Sequence, residues 1–133
     1  RLTNIVFYLD ASGSMSKKQL NRFNSELRYV WDNYQPEKLT IVVFDTKIQQ
    51  EIVIEDGGYP PALEIQGRGG TCLVGVREHI EKTKPAVAII LSDLWVAPME
   101  KTDVCPVLWI CADNPSGTAA FGKLFHVNTE KDI

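Results

Sequence analysis

Five short apolar runs, most of them ending at an aspartate, constrain this chain more than any other feature. Ile5-Val-Phe-Tyr-Leu9 stops at Asp10, Leu39-Thr-Ile-Val-Val-Phe44 at Asp45, Ala86-Val-Ala-Ile-Ile-Leu91 at Ser92-Asp93, and Val107-Leu-Trp-Ile-Cys111 at Ala112-Asp113, while Lys123 to Val127 is a weaker fifth. Runs of this length without alternation are the pattern of strands buried on both faces of a parallel sheet, because a one-sided sheet would show a polar residue at every second position. Between the first two runs, Leu20, Phe23, Asn24, Leu27, Val30, Trp31 and Tyr34 recur at steps of three and four until Pro36, which predicts an amphipathic helix.

Ile48 to Ile54 is rich in β-branched residues and follows Asp45-Thr46-Lys47, so it is expected to return as an antiparallel edge strand. Gly57-Gly58-Tyr59-Pro60-Pro61 is turn chemistry and Gln66-Gly-Arg-Gly-Gly-Thr71 a glycine-rich loop, after which Leu73 to Lys82 has helical spacing. Strands alternating with helical segments give an α/β, doubly wound, mostly parallel Rossmann-like sheet with one antiparallel edge strand and helices on both faces. The whole of residues 1–133 reads as a single domain excised from a longer protein.

In such a sheet the ligand crevice lies beyond the carboxyl ends of the strands, where the winding reverses. Asp10, Ser12 and Ser14 follow the first strand there, Asp93 follows a later parallel one, and Gly69-Gly70-Thr71 immediately precedes a helix. Two carboxylates and three hydroxyls are hard oxygen donors, which favours Mg²⁺, with Mn²⁺ or Ca²⁺ as alternatives, over zinc or copper. Taken singly, each element also reads as a turn or a helix cap: Ser14 or Ser16 would cap the first helix, Thr71 the second, and Asp93 would close a turn. Their common placement at strand ends separates the two readings.

Asp10-Ala11-Ser12-Gly13-Ser14 resembles the DxSxS motif of von Willebrand A (VWA) domains and their metal ion-dependent adhesion site, and the resemblance continues through Thr71 and Asp93 in the family's chain order, from about Leu2 to Val127. It implies hydroxyl contacts to the ion from Ser12, Ser14 and Thr71, with Asp10 and Asp93 often acting through water. The Gly-Gly-Thr loop and the Pro106-Val-Leu-Trp-Ile110 strand are most similar to bacterial and phage VWA-like domains at the C-terminus of metallopeptidase-like proteins. The implied function is a non-enzymatic interaction module, in which the cation bridges to an acidic side chain of a partner protein. Related bacterial A domains work beside AAA+ ATPases, which makes an ATPase-linked partner an expectation.

Two other functions are weighed against this one. A phosphatase-like metal-dependent hydrolase would use Asp10 as nucleophile, but its second aspartate should stand where Ser12 does, and no base is evident beside Ser12. A scaffold domain that has lost its metal draws support from Cys72, which follows Thr71 where many relatives carry an acidic or polar residue. A net charge of -3 with no basic stripe argues against nucleic acid, and no apolar run reaches the ~18 residues of a membrane span. Cys72, Cys105 and Cys111 fit neither a disulfide framework nor a CxxC zinc site, so a reducing, cytoplasmic location is expected. His79 and His126 are expected to be structural, with no ligand partner at a recognisable spacing. Trp31, Trp109 and Trp95 are assigned to the core, with a rim beside the ion as the alternative for Trp95.

Overall fold

The computed structural model describes residues 4–13, 15–55 and 69–128. Six strands form one sheet: β1 (Asn4–Asp10), β2 (Lys38–Phe44), β3 (Ile48–Ile54), β4 (Val87–Ser92), β5 (Val107–Ala112) and β6 (Lys123–Val127), in the spatial order β3-β2-β1-β4-β5-β6. All neighbours are parallel except β2 and β3, which form the expected antiparallel edge pair. The expected turn over 57–61 and the start of the glycine-rich loop lie outside the described residues, as does Ser14.

Parity along β1 builds the two halves of the core. Ile5, Phe7 and Leu9 point to one face, where Leu20, Phe23 and Leu27 of helix α1 (Lys17–Tyr34) cover them; Val6 and Tyr8 point to the other, under Leu73, Val76 and Ile80 at helix α2 (Val74–Thr83). Both sets are nearly fully buried, which at about 25 cal/mol per Å² of apolar surface removed from water is the main source of cohesion. One helix therefore covers each face, as the sequence implies.

Helices are fewer than the alternation suggested, because the β4–β5 and β5–β6 connections contain none. Pro98 and Pro106 bracket the first of these and Pro115 opens the second, and neither shows a sustained 3.6-residue apolar period. The connections instead lay side chains directly on the sheet: Val96, Met99, Val104 and Phe121 join the core under α2. Trp109 is buried there as expected, with its indole N–H donating to the Phe121 carbonyl at 2.9 Å. Trp31 is partly buried against the α1 core.

The start of α1 distinguishes two serines that the sequence leaves open. Ser16 is the cap: its hydroxyl accepts the Gln19 N–H at 3.2 Å, and the Gln19 side chain accepts the Ser16 N–H at 2.7 Å. This reciprocal pair satisfies two otherwise orphaned donors. Ser16→Ala is expected to cost about 1 kcal/mol, a melting-temperature loss of roughly 3–5 °C, without altering any response to divalent ions. An altered ion response in that variant would contradict a purely capping role.

Candidate functional site

The winding reverses between β1 and β4, which are neighbours although separated in sequence by α1, β2, β3 and α2. β1 runs in register with β4, Leu9 opposite Leu91, so Asp10 and the Ser92-Asp93 pair emerge side by side at the carboxyl edge. The topology thus brings two acidic residues 83 positions apart to one crevice.

Asp10 has no exposed surface, and both its oxygens are held. Oδ1 accepts the backbone N–H of Ser12 at 2.8 Å, which folds the loop after β1 back on itself, and Oδ2 accepts the Ser92 hydroxyl at 2.6 Å. Burial pushes the Asp10 carboxyl above its ordinary value, hydrogen bonds from Ser92 and Ser12 pull it back in part, and the neighbouring Asp93 charge raises it further. A carboxylate in this position favours a nearby cation, which would offset both the desolvation and the repulsion.

Asp93 is pinned by its own backbone. Its carbonyl accepts the Asn114 amide at 2.8 Å and lies 3.7 Å from the Cys111 sulfur, while its Oδ1 accepts the Trp95 N–H at 3.2 Å. Leu94 turns through φ 57, a left-handed conformation held by its N–H donating to the Ser92 hydroxyl at 3.0 Å. Ser92 therefore orients both acids, donating to one and accepting from the turn after the other. Ser92 is not among the residues that the motif and its spacing single out; the signal for it in the sequence is a small hydroxyl residue ending a buried strand directly before an acid.

The third element meets the first directly, since the Gly13 N–H donates to the Gly69 carbonyl at 2.9 Å. Asp45 governs how Gly69-Gly70-Thr71 is held. Its Oδ2 accepts the Gly69 N–H at 3.2 Å, its Oδ1 accepts the Gln49 amide at 2.9 Å and the Lys47 N–H at 3.3 Å, and its carbonyl accepts the Cys72 N–H at 2.9 Å. Burial opposes ionisation of Asp45, but the donors from Gln49, Lys47, Gly69 and Thr46 outweigh it and hold the carboxyl below the ordinary range. A Cβ on Gly69 would stand 3.2 Å from Asp45 Oδ2, so glycine admits this close approach. Asp45 closes the turn between β2 and β3 and also anchors the loop that carries Thr71.

Of the five residues assigned to the cation, Asp10, Ser12 and Asp93 are buried, Thr71 is half-buried in the glycine loop that Gly69 ties to Gly13, and Ser14 lies outside the described residues. Among the described residues no three histidine, cysteine or acidic side chains cluster as a metal site. Any ion here would rest on hydroxyls and water together with the two acids, a donor set suited to Mg²⁺. The donor chemistry fits.

Trp95 departs from its expected place, whereas His79 is structural as expected. Trp95 is 66% exposed and is therefore not a core residue; Val96 and Met99, after it, enter the core in its place. His79 has partners that spacing did not disclose, with Nδ1 2.7 Å from the buried Tyr8 hydroxyl and Nε2 2.8 Å from Glu51. It ties α2 to β1 and to the edge strand β3, a structural role.

The sequence profile of the family described as VWA-like domain (DUF2201) matches residues 5–128. The chain belongs to this VWA-like family. Membership suggests a protein-interaction or scaffold module. Among solved structures, the VWA-like domain is similar to an aerotolerance-related membrane protein from Bacteroides fragilis NCTC 9343, crystallised with multiple mutations to serines, with a TM-score of 0.62 and 13% identity over 82% of this chain and 67% of that one. At that identity the likeness concerns the fold alone. No curated protein matches the chain. Among the described residues no helix is long and apolar enough to cross a membrane.

Proposed function

We propose that this VWA-like domain is a protein-interaction module that holds Mg²⁺, or Mn²⁺ or Ca²⁺ in its place, at the carboxyl edge of the sheet and offers the ion's open position to an acidic side chain of a partner protein. The observation that carries the reading is the pairing of Asp10 and Asp93 across the switch point, with the Gly13–Gly69 bond drawing the Thr71 loop onto the same edge. Few carboxylates would touch the ion directly, so it would keep net positive charge and exchangeable water, the condition for accepting a carboxylate from outside. The partner fits an assembly linked to an AAA+ ATPase, by resemblance to bacterial A domains.

Hydrolysis by an Asp10 nucleophile is disfavoured by access. Asp10 is fully buried and both its oxygens accept hydrogen bonds, which an in-line attack on a phosphate ester would have to break. The site therefore favours binding over turnover.

Thermal unfolding in Mg²⁺ or Mn²⁺ tests the reading, because a ligand that binds only the folded chain raises its melting temperature. At ten times the dissociation constant the gain is about 1.4 kcal/mol, roughly 5 °C for a domain of this size. Thr71→Ala is expected to lose most of that shift. A flat response of the unaltered domain at millimolar ion would instead support a scaffold without metal.

A further inference from the structure

Beside Thr71 the surface opens into a groove of about 330 Å³, bounded on one side by the first turns of α2 and on the other by the segment from Val96 to Met99. Its lining is mainly apolar, and Val74 at its lip is 62% exposed, with the exposed Trp95 next in sequence to the opposite wall. An exposed apolar side chain, Val74, at the lip of a concave and mainly apolar floor marks a recognition surface more than a solvated one. Thr71 belongs to both the groove and the proposed ion site, so the two are continuous.

Charge changes along the groove. Its ion end would be positive, whereas at the other end Glu78 and Glu100 are exposed and the one basic lining residue among the described residues, Arg77, is engaged by the Glu100 and Lys101 carbonyls and by Glu81 at 3.7 Å. Glu78 lies one turn beyond Val74 on the same face of α2, and the Arg77 side chain donates to the carbonyls of Glu100 and Lys101 at 3.2 and 3.1 Å, which keeps the opposite wall at that level. Thr71 to Glu78 covers about 10 Å along the helix direction, the reach of three or four extended residues.

Resting on the cation-binding reading above, we infer that the groove takes an extended partner segment with an acidic residue on the ion, an apolar residue seated between Val74 and Met99, and a basic residue near Glu78 and Glu100. The ion supplies attraction, and the apolar seat supplies selection among acidic segments. The basic residue fixes which end of the segment lies where.

The test uses the isotope-labelled domain in Mg²⁺ with two capped peptides, acetyl-Asp-Gly-Leu-Gly-Lys-amide and its reversed sequence. Amide shifts are expected at Cys72, Val74 and Val96 to Met99, and the better peptide should bind about tenfold more tightly than its Leu→Gly form. In the exposed-site variant Val74→Glu that preference should vanish while the thermal shift in Mg²⁺ stays. Leucine and glycine peptides binding within twofold of each other, with the thermal shift intact, would overturn the groove and leave the ion standing. No thermal shift, together with equal binding of Asp and Asn peptides, would remove the ion reading and the groove inference with it. Absence of binding by either orientation up to 10 mM, a threshold on the order of the weakest specific contacts, overturns the groove as well.

Discussion

Asp10→Asn is expected to melt several degrees higher than the unaltered domain in the absence of divalent ions and to lose its response to them altogether. The cause is the raised carboxyl of Asp10, in which burial outweighs the bonds from Ser92 and Ser12 and the Asp93 charge adds the least. Between the ordinary carboxylate value of 3.8 and the raised one, the folded chain keeps a proton that the unfolded chain has released, so stability falls as pH rises through that window and stays lower above it. Asparagine carries no charge to desolvate. Its oxygen can still accept the Ser12 N–H, and the Ser92 hydroxyl can rotate to accept from its amide. The gain should be on the order of 1 kcal/mol, about 3–5 °C, and should shrink when both proteins are compared below pH 3.8, where the native carboxyl is also neutral. Calorimetry with and without Mg²⁺ separates the two effects. A variant less stable than the parent at pH 7 in chelator, or one that still responds to Mg²⁺, would contradict the assignment of Asp10.

The opposing needs of stability and ion binding explain which parts of this molecule are readable from sequence. Strands β1, β2, β4 and β5 are legible because burial on both faces, partial on one side of β5, makes nearly every residue in the run apolar, a local signal independent of what the strand pairs with. Asp10 and Asp93 are legible because a charged residue directly after such a run must lie at the sheet edge. Ser92 and Asp45 are not, because their partners are long-range: the Ser92 hydroxyl meets an acid 82 residues away, and Asp45 meets the glycine loop 24 residues on. The 93–106 connection misled in the other direction. Its apolar residues suggest core, yet without a helical period the sequence does not say which of Trp95, Val96 and Met99 turns inward, and the left-handed turn at Leu94 sends Trp95 out.

Asp45→Ala is expected to destabilise the domain by about 2 kcal/mol and, separately, to weaken the ion response even though Asp45 is no ligand. Removing the carboxylate strands the Gly69 and Lys47 N–H groups and the Gln49 amide; the side chain has almost no exposed surface, but it sits at a strand end where water can reach the freed donors, which limits the penalty. The loop then loses the bond from the Gly69 N–H and keeps only the one its Gly69 carbonyl accepts from Gly13, and Thr71 follows two residues on. Asp45 also has the opposite linkage to Asp10. Its folded carboxyl is held below 3.8, so its stabilising effect is complete above that value and disappears as pH falls through the lower folded one. Between those limits acid should remove Asp45's share of stability from the parent and not from Asp45→Ala, so the difference between their stabilities should narrow as pH drops below 3.8. In the ion titration at neutral pH, the variant should need several-fold more Mg²⁺ for half its thermal shift, since a ligand carried on a looser loop must be ordered when the ion binds. An unchanged half-point alongside the 2 kcal/mol loss would mean that the Thr71 loop is positioned by its contact with Gly13 alone, and that Asp45 serves stability only.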